Sequence, residues 1–171
     1  MMTFRFAKCA VAVGAIGLAA VLPSNAQAAG TTATAAAVVA VAIGIAKTVD
    51  MDFGTVAEDG SGGTIILATD GSRTTTGGAS VLSGSPGAAA SFNVTGEGTN
   101  TYSITLPSSV TLDSGGNSMT AGTFVSLPAT TGTLTAGAQT LLVGATLTLG
   151  SSQATGTYLS ASPFTVTVNY N

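Results

Sequence analysis

The chain has no histidine and no tryptophan, a single cysteine in 171 residues, and only four Lys and Arg against seven Asp and Glu. Each scarcity removes a class of chemistry. Without histidine there is no Ser-His-Asp or Cys-His relay. The one cysteine, Cys9, falls in a segment read below as removed. The mature chain is therefore expected to hold no thiol nucleophile, no disulfide and no sulfur-ligated zinc, although an oxidising compartment would permit a disulfide. A serine–lysine pair could use only Lys47, which stands beside Asp50 with no serine motif near it. Neither Gly-x-Ser-x-Gly nor a Gly-rich phosphate loop ending in Lys-Ser or Lys-Thr occurs. The absence of tryptophan also weighs against a sugar-stacking platform, so Phe92, Tyr102, Phe124, Tyr158, Phe164 and Tyr170 read as core residues.

What remains for chemistry is carboxylate. Asp50 and Asp52 are two apart and would share one face of a strand, opposite Val49, Met51 and Phe53. Such a pair could hold calcium or act as acid and base; two solvated acids on an outward face is the plainer reading. Glu58 with Asp59, and Asp113 with Asn117, lie in Gly-rich stretches where such side chains bond their own backbone. The expectation is a protein that is not an enzyme and takes no cofactor or metal.

The first residues follow an export pattern. Arg5 and Lys8 precede an apolar run from Cys9 to Leu22, and Ala26 and Ala28 form a small-x-small site. This reads as a secretory signal peptide over residues 1–28, cleaved before Ala29. The run is shorter than the roughly 20 residues a span needs, so no membrane span is expected after cleavage. Lys8 before Cys9 does not suit a lipoprotein signal. Removal leaves 143 residues, enough for one domain. Their basic residues are Lys47 and Arg73 against seven acids, a net charge of −5. That gives no electrostatic footing for nucleic acid or anionic lipid. The protein is expected to be secreted through the periplasm to the cell surface or beyond.

The remaining chain is rich in Gly, Ala, Ser and Thr, and its apolar residues alternate. From Ala37 to Phe53 the odd positions include Ala37, Val39, Val41, Ile43, Ile45, Val49 and Met51. Period-2 spacing of this kind places them on one face of a long strand. Further alternating or apolar runs occupy 64–69, 79–83, 89–95, 101–106, 110–112, 119–127, 140–149 and 164–171, with a turn expected at 58–63 and another at Asp70-Gly71-Ser72-Arg73. The count is eight to ten short strands with no helix. The fold class expected is all-β, an immunoglobulin-like sandwich of short antiparallel strands. The division expected is 29–46 as an N-terminal extension and 47–171 as the sandwich domain.

The two chain ends resemble a known pattern. Met51-Asp52-Phe53-Gly54-Thr55-Val56 at one end pairs with Gly156-Thr157-Tyr158 and Phe164-Thr165-Val166-Thr167-Val168-Asn169-Tyr170 at the other. Between them lie Ala89 to Glu97 and Thr101 to Pro107. Over nearly the whole mature length this is similar to a family of bacterial secreted β-proteins known only as a domain of unknown function. It is more distantly similar to spore-coat-U-like proteins and subunits of archaic chaperone–usher pili. The latter resemblance implies an incomplete, pilin-like sandwich, a periplasmic chaperone, an outer-membrane usher, and like or related subunits joined by β-strand addition. The disulfide common near the first strand of those pilins is absent here.

On that basis Ala37, Val39, Val41, Ile43 and Ile45 are the candidate donor strand. Phe164, Val166, Val168 and Tyr170 are the candidate C-terminal strand that a chaperone or neighbour would grip. The function expected is a fimbrial or pilin-like subunit of a surface appendage with an adhesive or biofilm role. A self-complete sandwich that binds a glycan or surface protein as a monomer is the rival.

Overall fold

The structure, a computed structural model, describes residues 28–171. The signal-peptide reading thus lies outside the described residues except for Ala28. Chain contacts separate a first unit ending at Ala37 from Val38–Asn171, and residues 28–37 of the first carry no strand. Eleven strands and no helix make up the described residues. They are β1 (Gly44–Val49), β2 (Val56–Leu67), β3 (Arg73–Val81), β4 (Ala90–Thr95), β5 (Thr101–Thr105), β6 (Ser109–Ser114), β7 (Asn117–Leu127), β8 (Thr131–Thr133), β9 (Ala138–Leu149), β10 (Leu159–Ser160) and β11 (Thr167–Tyr170).

All pairings are antiparallel. The larger sheet runs β1-β4-β9-β7-β6-β10, with β2 also paired to β9 and β3 to β2; the smaller runs β11-β5-β8. The arrangement is sandwich-like and all-β, as the alternation predicts.

The twelve residues of β9 organise it. Along one edge its first half pairs with β4, Ala138 to Val143, and its second half with β2, Ala145 to Leu149; β7 takes the other edge. Leu141, Val143, Ala145, Leu147 and Leu149 all point inward and are buried. The period-2 pattern places them there, and the length of the strand lets one row serve two cores. Leu141 and Val143 join Phe92, Val94, Tyr102, Leu134, Val166 and Val168 between the two sheets. Ala145, Leu147 and Leu149 join Phe53, Ile65, Leu67 and Met119 under the β2–β3 hairpin. Met51 and Phe124 pack against both.

The outer face shows how so few charges suffice. Thr76, Thr64, Thr148, Thr120 and Thr111 are successive cross-strand partners from β3 through β2, β9 and β7 to β6. The hydroxyls of Thr64 and Thr76 lie 2.6 Å apart. β-branched threonine suits a pleated surface and stays wet, and each such pair contributes roughly 0.2–1 kcal/mol.

Four expectations change. The strands number eleven among the described residues rather than eight to ten, and the last begins at Thr167 rather than at residue 164. The long first strand starts at Gly44 rather than Ala37, and its pairing with β4 shifts register between Lys47 and Val49, so the alternation does not continue unbroken to Phe53. The turn expected at 58–63 is instead a bulge inside β2. Glu58 pairs with Ala79 and Gly63 with Gly77, so the residues between them loop out. Gly60 and Gly62 take left-handed backbone there (φ 97° and 73°), and the Glu58 carboxylate accepts both their N–H groups at 2.6 and 3.3 Å.

Leu147→Ala should destabilise the domain by about 2–5 kcal/mol, because it opens a cavity under β2. The exposed Val125→Ala should stay within about 0.5 kcal/mol. Urea denaturation of the pair of variants checks both. A second expectation concerns alkaline pH. Tyr102 is fully buried and donates to Gln139 Oε1 at 2.8 Å, and burial pushes its phenol above the ordinary value. The folded state therefore holds that proton more tightly than the unfolded chain. Its stabilising effect is complete below about pH 10 and fades as pH rises toward the folded value. Thermal melts from pH 9 to 11.5 should show a decline that is shallower in Tyr102→Phe.

Candidate functional site

The C-terminal residues form part of the wall of the second core. Val166 and Val168 are buried in it, and Phe164 and Tyr170 pack against it partly exposed. The Phe164 and Phe124 rings lie 5.2 Å apart, tilted by 46°. Hydrogen-bonded pairing begins only at Thr167, and β11 pairs with β5 alone: Thr167 to Thr105, Val168 to Ile104, Asn169 to Ser103, Tyr170 to Tyr102. Among the described residues no strand lies along the other edge of β11. An open edge carries unpaired backbone groups and is a template for a further strand.

Across from that edge stands β1, the outermost strand of the larger sheet. Ile43 and Ile45 pack partly exposed against the same core as Val166 and Val168. The seam between β1 and β11 thus leaves Ile43, Ile45 and Tyr170 partly uncovered over the second core. The five candidate donor positions fall into two sets. Ile43 and Ile45 lie at the start of the domain, Ile45 paired with Val94 on β4. Val39 and Val41 are 95% and 61% exposed, and Ala37 belongs to the unit upstream. Val38 to Val41 thus count with the domain by chain contacts although no strand includes them.

Val41 and Tyr170, one from each candidate strand, meet Glu97, which the sequence did not single out, at one end of the seam. Val41 N–H donates to Glu97 Oε2 at 3.3 Å, and Tyr170 Oη donates to the Val41 carbonyl at 2.9 Å and accepts from Glu97 N–H at 2.6 Å. Gly96 makes this approach possible, since a Cβ there would run into Tyr170 Oη and sit 2.9 Å from Leu134 Cδ1. Glu97 reads in the sequence as an ordinary turn acid. Its partners are far away in the chain, at 41 and 170, where no local pattern reaches.

The carboxylates are engaged separately. Asp50 pairs with Lys47 at 2.5 Å, on the exposed surface, and Asp52 accepts the Gly54 N–H at 2.7 Å. No group of three or more His, Cys, Asp or Glu suited to a metal stands together among the described residues. Asp70 is held below the usual carboxylate range by hydrogen bonds from Ser72, at the tip of the β2–β3 hairpin. Two of the shallow depressions on the surface of the described residues stand out. One is bordered by Arg73 and residues 81–86, but the guanidinium there donates to the carbonyls of Phe53, at 2.6 Å, and Ser85, at 2.5 Å, and so ties the loop to the fold. The other, between Val110 and Phe164, has no charged side chain. The open edge of β11 remains the strongest candidate.

A family model described as "Domain of unknown function (DUF4402)" matches residues 43–170. The match begins at Ile43, where the chain joins the fold, and ends in β11. No curated protein and no solved structure matches the chain.

Deleting residues 164–171 should abolish folding, because it strips the buried Val166 and Val168 and two partly buried aromatics from one core. Secreted yield and circular dichroism test this, and a truncated chain of unchanged melting temperature would refute it.

Proposed function

We propose that this chain, which belongs to the DUF4402 family, is a secreted, non-catalytic structural subunit of a cell-surface fibre assembled by β-strand addition. The observation that carries the reading is the unpaired edge of β11 beside partly exposed Ile43 and Ile45, on a chain with an exposed apolar segment, Val38 to Val41, just upstream. A strand laid along β11 would satisfy its free backbone groups and bury apolar side chains at about 25 cal/mol per Å². The odd positions Ala37 and Val39 suit the inward face of such a strand, and the small even residues Ala36 and Ala40 keep it thin.

In this reading, export delivers the chain to the periplasm, where a chaperone would cover the β11 edge until an outer-membrane usher exchanges it for a neighbouring subunit. The scarcity of charge suits a packed assembly, since desolvating threonine and alanine surfaces is cheaper than burying lysine or glutamate. An adhesive or biofilm role follows from display on such a fibre. The specific observation favouring the rival, a self-complete monomer that binds a glycan or surface protein, is that Ile43 and Ile45 already pack on their own core.

Expression of residues 29–171 beside a variant lacking 29–42 separates the two. The fibre subunit should run as oligomers, the shortened variant as monomers that gain several degrees of melting temperature when a synthetic peptide of residues 29–42 is added. A wild type that stays a stable monomer, together with a shortened variant indifferent to the peptide, would falsify strand addition.

A further inference from the structure

We infer that Glu97 and Tyr170 form a latch on Val41 that keeps the N-terminal extension out of its own β11 edge and so directs it to a second copy of this chain. The inference rests on the strand-addition reading and adds the partner and the residues that select it.

The geometry begins with three chain ends that meet. Gly44, the first residue of β1, pairs with Thr95, the last of β4; Glu97 follows two residues later and bonds Tyr170, the last residue of β11. β1 therefore starts where β11 ends, and the two run in opposite directions along the seam. An extension that doubled back from β1 into its own seam would arrive at this end with its C-terminus. It would run in the same direction as β11 and pair in the parallel manner, the slightly weaker ladder. It would also have to reverse within Val41 to Ile43.

The latch sits at that reversal point. Both backbone groups of Val41 are taken, the N–H by the Glu97 carboxylate and the carbonyl by the Tyr170 hydroxyl. Ile43 is already packed on the core two residues later. The residues just before are not drawn in, as Val38 and Val39 are 97% and 95% exposed. Self-closure would break both bonds to Val41, whereas the extension of a second copy enters with neither reversal nor loss and can run antiparallel to β11. Glu97 and Tyr170 are positioning residues here.

Cysteine cross-linking tests this in residues 29–171, which hold no native cysteine. Val38→Cys on the extension and Thr167→Cys or Asn169→Cys on β11 place exposed thiols on opposite partners. A bridge requires Cα atoms within roughly 7 Å. Chains carrying one cysteine each, mixed and oxidised, should give disulfide-linked dimers, while the double-cysteine chain at high dilution should give almost no internal bridge. Adding Tyr170→Phe with Glu97→Ala removes both bonds to Val41 and should raise the internal share by roughly tenfold or more. The retained phenylalanine ring keeps the core contact, and melting temperature monitors folding.

An internal bridge that dominates with the latch intact would overturn the inference while leaving strand addition at β11 standing. An internal share unmoved by the double substitution would overturn the latch. No bridge in either format would remove the strand-addition reading along with it.

Discussion

The fold depends on one strand that cannot be replaced by a shorter one. β9 pairs with β4 and β2 along one edge and with β7 along the other, and its inward row supplies both cores. Twelve residues at about 3.3 Å each give a span of roughly 40 Å. That length lets Leu141 and Val143 face the small sheet while Leu147 and Leu149 lie under the β2–β3 hairpin. A break midway would leave two half-domains, each with too little apolar area to stand alone. The twofold periodicity is equally strict, since a slip of one residue would turn all five inward side chains to solvent.

Against that closed centre the β1–β11 seam stands open. Around the second core Ile43, Ile45 and Tyr170 remain partly exposed on the seam side, whereas Phe164 packs on Phe124 of β7. Sandwich domains ordinarily blunt such edges with charge, proline or bulges. Here the β11 edge offers threonine and asparagine between valines, and its seam is fastened only at one end. A surface built largely of threonine rows stays hydrated with few charges and costs less to desolvate than one of lysine and glutamate. The edge and the composition point the same way.

The proposed latch would let a polar contact of modest strength select between two outcomes that share the same hydrophobic gain. A strand laid on β11 buries similar apolar area whether it comes from the same chain or another. The difference lies in chain direction and in the two bonds to Val41. Effects of one or two kcal/mol decide between such near-equal alternatives, even though they contribute little to the total stability of the domain.

Alternation by itself determined the class. Leu141 to Leu149, Phe92 with Val94, and Thr167 to Tyr170 are strands as their alternation predicts, and the Asp70-Gly71 turn joins two strands as expected, because these are local properties of pleat and turn; the alternation at Phe164 to Val166 did not extend the last strand. The apolar seam was legible in part, from Ile43, Ile45, Val166 and Val168. Where the first strand began was not, since the same odd–even pattern runs through residues that pair and residues that do not; only β4, and the length it offers, set the start at Gly44. The Glu58–Gly63 segment reads as a turn because its glycines permit one, and it bulges instead because pairing with β3 resumes beyond it. Gly96, Glu97 and Tyr170 were invisible as a group. Their meeting joins residues 41, 97 and 170, and contacts across such distances in the chain exist only once both sheets have formed.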